Sequence, residues 1–226
     1  MIASIAVAPV PAGIAVHPTG SYVYVANGQN VSVIDTATNQ IIAAAPLGNA
    51  GEGVVAHANG KFIYVAVPVD GSVLILDALT NTITTKISVG INPWQMALNA
   101  SGSRLYITGS DSVVTLDTAT NTVINKAVVT GAGGVAMSLD GKSLYVTGWL
   151  SSNTVSIVDV VTGLVTKVVN VGANPRFVAV DPVSGFVYVT NYSGNSISII
   201  NPATQTVVQT IFANAPAGLA FKPAGT

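Results

Sequence analysis

The sequence predicts an all-β fold, a β-propeller of four-stranded antiparallel blades, and three observations carry that prediction. The chain of 226 residues repeats itself five times, with a tyrosine at Tyr24, Tyr64, Tyr106, Tyr145 and Tyr188 inside an apolar run. A polar turn follows each run, opening at Asp35, Asp77, Asp117, Asp159 and Asn201, so successive turns lie 40 to 42 residues apart. Apolar residues never recur at helical spacing. A fixed period of this length marks stacked supersecondary units, none able to bury its own apolar faces alone, and four short strands per unit suit a propeller blade.

Within the first repeat the strands read a (Ala12–Val16), b (Tyr22–Ala26), c (Val31–Ile34) and d (Gln40–Ala44), and the pattern resumes at Glu52, Trp94, Gly133 and Arg176. Repeats span approximately 12–49, 50–91, 92–131, 132–173 and 174–215 of a single domain over residues 1–226. Each a-to-b turn ends in glycine, at Gly20, Gly60, Gly102, Gly141 and Gly185, the residue that accepts positive φ without steric penalty.

The c-to-d turns explain their own residues. An opening Asp or Asn accepts backbone N–H bonds from the residues that follow, and a closing Asn or Gly tolerates the left-handed conformation. Asp35, Asp77, Asp117, Asp159 and Asn201 are therefore structural turn residues. Gln205 stands where Asn or Gly is expected and predicts a looser turn.

The ends do not make whole blades. Residues 1–8 align with a d strand and 216–226 with an a strand, predicting a lone strand at each end. A five-bladed ring with spare strands, a deficient six-bladed ring and a piece that pairs with another chain all follow from that alignment, so oligomers through terminal strands are one expectation.

Tyr188-Val189-Thr190-Asn191, recurring in register as Tyr24-Val25-Ala26-Asn27, Tyr106-Ile107-Thr108-Gly109 and Tyr145-Val146-Thr147-Gly148, resembles the YVTN family of β-propeller repeats over essentially the whole chain. The second copy, Tyr64-Val65-Ala66-Val67, departs at its last position. The Gly-His and Trp-Asp dipeptides of WD40 repeats are missing. The resemblance implies a surface-layer or secreted protein, and related propeller families also include lactonases and other hydrolases or lyases.

Composition narrows the partners. Half the residues are apolar and 8% charged, with net charge -1 and no cysteine. No basic footprint for nucleic acid exists, no run approaches the length of a spanning helix, and disulfide and thiol chemistry are excluded. Met1–Ala6 lacks the basic start of a signal peptide. Sequons at Asn30, Asn99 and Asn191 matter only in a secreted protein.

Function is expected in the d-to-a and b-to-c loops, where residues depart from the repeat. Glu52, Trp94, Gln95 and Arg176 stand in the first, and Asp70, Asp111, Trp149 and Tyr192 in the second. Glu52, Trp94, Gln95, Trp149, Arg176 and Tyr192 are the candidate ligand-binding residues, suited to a small polar ligand, a glycan or a protein partner. No catalytic residue, metal set or cofactor motif emerges. His17 and His57 occupy equivalent places where other repeats carry Asn99 and Ser138, which favours a polar turn role. Four of the nine acids are turn punctuation; of the rest, Glu52 with Asp70 or Asp111 is the one conceivable catalytic pair. A non-enzymatic extracellular or cell-surface module is the leading reading, ahead of a lactonase-like enzyme and a head-to-tail assembly subunit.

Overall fold

In the computed structural model, which describes residues 4–149 and 152–221, five four-stranded sheets follow one another along the chain. The first comprises β1 (Pro11–Val16), β2 (Tyr22–Asn27), β3 (Asn30–Asp35) and β4 (Gln40–Pro46), and the second β5 (Val54–Ala56), β6 (Phe62–Val67), β7 (Ser72–Asp77) and β8 (Thr82–Ser88). The third comprises β9 (Met96–Leu98), β10 (Arg104–Gly109), β11 (Ser112–Asp117) and β12 (Thr122–Val128). The fourth holds β13 (Ala132–Met137), β14 (Ser143–Gly148), β15 (Thr154–Asp159) and β16 (Val165–Asn170), and the fifth β17 (Pro175–Val180), β18 (Val187–Asn191), β19 (Ser196–Asn201) and β20 (Thr206–Phe212). Strand order in each sheet follows the chain.

The chain forms two compact units, residues 1–105 with 116–123 and residues 106–115 with 124–226. In the first, Tyr24, Val31 and Val33 of one sheet pack with Val54, Ile63, Val65 and Leu76 of the next. In the second, Tyr145, Val155 and Ile157 pack with Val178, Val187, Val189 and Ile200. The central strands carry apolar residues on both faces, which is why they read as continuous runs; the first and fifth sheets each keep an open face, with Ile14 66% exposed where its counterpart Val54 is 8%, and Ile211 38% exposed.

The turns behave as their residues require. Asp35 Oδ1 accepts from the Ala37 and Thr38 amides at 2.9 and 2.8 Å, and Asp77, Asp117 and Asp159 repeat the arrangement. Asn201 Oδ1 accepts from the Ala203 amide at 2.9 Å. All five a-to-b glycines have positive φ, between 69° and 76°.

Two expectations need correction, and a third, the turn role of His17 and His57, holds with an addition, His57 Nδ1 accepting the Asn59 amide at 3.0 Å and His17 Nδ1 the Thr19 amide at 3.3 Å. Gln205 does not loosen its turn: it takes φ 54°, beside 57° for Asn39, and its amide reaches Asn201 O at 2.8 Å, the distance Asn39 keeps to Asp35 O. The β19–β20 ladder imposes the left-handed conformation whatever side chain stands there. The lone terminal strands do not appear in the described residues 4–8 and 216–221, because extended chain becomes strand only with a ladder neighbour; residues 1–3 and 222–226 of those stretches lie outside the described residues. His17 and His57 do more than shape their turns. Their Nε2 atoms lie 2.8 and 3.1 Å from Gly60 O and Gly102 O, tying each repeat to the next.

The departure at Val67 also has its structural counterpart. Between b and c this repeat carries a 3-10 turn, Pro68–Asp70, closed by Gly71 at φ 57°.

Candidate binding site

The d-to-a and b-to-c loops meet at one end of the sheets. In the first unit the Gly51 amide donates to Gly28 O at 3.0 Å and the Glu52 amide to Ala66 O at 2.9 Å. A Cβ at Gly53 would stand 2.5 Å from Trp94 O, so the starts of the second and third repeats touch through backbone. Glu52, Trp94 and Gln95 are thereby placed side by side, each half-buried.

Neither acid proposed as a partner for Glu52 is idle. Asp70 receives Lys86 Nζ at 2.5 Å and Asn49 Nδ2 at 2.6 Å, and these bonds, Lys86 foremost, hold its carboxyl below the usual carboxylate range. Asp111 sits at φ 57° and accepts the Gly131 amide at 2.6 Å. Both brace loops.

In the second unit the candidate residues converge. Register shifts between Pro175 and Phe177 as β17 pairs with β18, leaving Arg176 as the residue of a bulge, a device that re-aims a side chain. Its carbonyl accepts from Thr147 Oγ1 at 3.3 Å, while Thr190 Oγ1 accepts the Phe177 amide at 3.0 Å. These two buried threonines, third residues of their tetrapeptides, hold the bulge.

Trp149 is positioned by what its neighbour lacks. A Cβ at Gly133 would lie 2.7 Å from Trp149 Cβ, and one at Gly134 would lie 2.7 Å from Arg176 O. The paired glycines admit the indole and the next backbone together. The Trp149 amide donates to Gly131 O at 2.7 Å, and the Tyr192 amide to Asn174 O at 2.9 Å.

The result is a guanidinium among aromatic rings. Arg176 Cζ lies 5.7 Å from the Trp149 ring centre, 5.5 Å from Tyr192 and 5.9 Å from Phe177. Each such contact contributes on the order of 0.5–1 kcal/mol at a partly exposed site. Ringed in this way the guanidinium is held in place. Tyr192 keeps 39% exposure and opens the cluster to solvent.

The reading of the loops missed Phe177. A signal was present: the equivalent positions are Gly13, Gly53 and Gly134 in three other repeats, so an aromatic there is as much a departure as Arg176 itself. Among the described residues no group of three His, Cys, Asp or Glu is arranged to hold a metal.

Solved structures place this geometry in a known architecture. The chain is similar to the hydrazine synthase of Kuenenia stuttgartiensis at 23% identity with a TM-score of 0.78, covering 88% of this chain and 67% of that one. It is similar also to the dihydro-heme d1 dehydrogenase NirN in complex with DHE, at 13% identity with a TM-score of 0.62, covering 92% of this chain and 57% of that one. Both neighbours are β-propeller proteins. The fold is a β-propeller. At these identities the likeness carries the fold alone, and the chain spans about two thirds of one neighbour and little more than half of the other. No family model matches the sequence, and no curated protein matches it. The Arg176 cluster thus stands on the loops of the fourth and fifth blades. No helix among the described residues is long and apolar enough to cross a membrane.

Proposed function

We propose that this chain is a non-enzymatic β-propeller acting as an extracellular or cell-surface interaction module, and that its Arg176 cluster binds a carboxylate-bearing glycan. The observation that carries the proposal is the cation held among three rings. Arg presents a planar fork that matches a carboxylate in two parallel hydrogen bonds, and aromatic faces suit the C–H face of a sugar ring. An acidic sugar offers both. Low charge, no cysteine and turns rich in Thr, Asn and Ser suit the proposed location. The engagement of Asp70 and Asp111 in loop bracing supports the non-enzymatic reading.

The test is retention on an array carrying uronate-bearing and neutral glycans. The wild-type protein is retained on the uronate spots; Arg176→Gln loses about ten- to a hundredfold in affinity, the effect of a charge-assisted hydrogen-bond pair, while it stays folded with a melting temperature lowered by no more than a few degrees as the ring contacts are lost. Equal retention of wild type and variant contradicts the assignment. A lactone panel addresses the enzymatic alternative: turnover that disappears in Glu52→Gln overturns the non-enzymatic reading.

A further inference from the structure

One contact recurs along the chain. The sheet face that carries the repeat tyrosine packs on the other face of the following sheet: Tyr24, Val31 and Val33 lie against Val54 and Val65, and Tyr145, Val155 and Ile157 against Val178 and Val189. Residues opposite each other in a ladder share a face, so Val54 and Val178, paired with Val65 and Val189, mark the receiving side of that contact. Ile14 pairs with Val25 in the same register and marks the receiving side of the first sheet. It stands open to solvent with Val16 beside it, whereas Val54, Val135 and Val178 are buried.

The fifth sheet has the complementary face to spare. Ile211, opposite Ile197, holds the place that Ala45, Ile87 and Val169 hold opposite Val31, Val73 and Val155; those three are buried and Ile211 is exposed. Tyr188 on the same face is half-buried where Tyr24, Tyr64 and Tyr145 are buried.

The segment that rests on this face shows what it accepts. The Phe221 ring meets the Tyr188 ring edge-on, with 5.1 Å between centres. Residues 216–221 read Pro-Ala-Gly-Leu-Ala-Phe, and residues 11–16, which form β1, read Pro-Ala-Gly-Ile-Ala-Val. A near copy of β1 thus sets the residue equivalent to Val16 on the tyrosine of the fifth sheet, and it leaves Ile211 exposed.

We infer that both open faces are filled by further copies of this chain: the receiving face of one copy's first sheet packs on the tyrosine face of another copy's fifth sheet, and β1 takes the place that residues 216–221 hold. The contact that the chain makes between its own sheets is then repeated between copies. Apart from Asp35 at the end of β3, the strands β1–β4 and β18–β20 carry no charged residue, so no strand charge has to leave water as the faces meet. Because the two faces differ, the contact is heterologous, and each added copy brings a new free face, so association passes beyond a dimer. The inference does not use Arg176, and it stands or falls apart from the glycan reading.

Sedimentation velocity of the full chain between about 1 and about 500 µM, a span that covers weak and moderate interfaces, tests it. The wild-type average mass climbs past that of two chains as concentration rises. Ile14→Lys and Ile211→Lys each put a charge into one half of the contact and leave the other half intact, and each alone weakens association at least about a hundredfold. Val16→Lys and Gln209→Lys, on the same two faces, stand in should either variant fail to fold. An equimolar mixture of the two variants restores one contact per pair and stops at two chains. Leu79→Lys, at an exposed turn position away from both faces, associates like the wild type. A wild type that keeps the mass of one chain throughout, face variants that associate as it does, a mixture that does not stop at two chains, or a monomeric Leu79→Lys overturns the inference.

Discussion

At the scale of single residues, the turn aspartates do the same work in the first four blades and respond to acid in the same way. Backbone N–H bonds from Thr38, Thr80, Thr120 and Thr162 hold Asp35, Asp77, Asp117 and Asp159 below the usual carboxylate range. A carboxyl with a lowered folded value contributes stability in full above the unfolded value, about 4, and loses it as pH falls through the folded value. The melting temperature is therefore level from neutrality to about pH 5 and declines below about pH 4. At pH 7 Asp35→Ala lowers it more than Asp35→Asn, since Asn keeps the Oδ1 acceptor that Asn201 already uses; thermal melts across pH check both statements. Tyr24 predicts the reverse sign. Its hydroxyl is buried without a partner, so Tyr24→Phe is neutral or stabilises by up to about 1 kcal/mol in urea unfolding. The turn chemistry was legible in the sequence because it is local, five residues closing on themselves. Gln205 was misread for the complementary reason, since its φ is set by a strand ladder and not by its own side chain.

Blades are the scale at which the site is assembled. Gly133 and Gly134 have backbone and indole atoms where a Cβ would stand, so Gly133→Ala displaces Trp149 and Gly134→Ala presses on the Arg176 backbone. Overpacking of this kind costs about 1–3 kcal/mol. Gly133→Ala should weaken glycan retention even under conditions where it remains folded, as near-ultraviolet circular dichroism and array retention together report. Arg176, Trp149 and Tyr192 were identifiable as departures from the repeat, and their common location followed from which loops share an end of a blade. Phe177 escaped notice because it lies beside the obvious charge.

For the whole molecule, the sequence period led directly to the β-propeller, because each repeat spells the same four strands and each sheet depends on apolar neighbours. The terminal strands did not follow in the same way. Alignment records what a segment resembles, whereas a strand exists only beside another, and nothing local to residues 4–8 or 216–221 supplies that neighbour. The Arg176 cluster lies where the repeats differ, and a propeller scaffold tolerates such differences in loops without altering its sheets. With a net charge of -1 the protein exerts little long-range pull on an acidic ligand, so the proposed binding, resting on the single Arg176 contact, would decline only modestly with salt. Trp149 fluorescence in a Trp94→Phe background reads that contact directly during titration with a glucuronate-bearing oligosaccharide. The proposed function predicts a saturable change in Trp149 emission that Arg176→Gln abolishes; an unresponsive Trp149, or the same change in the variant, would contradict it.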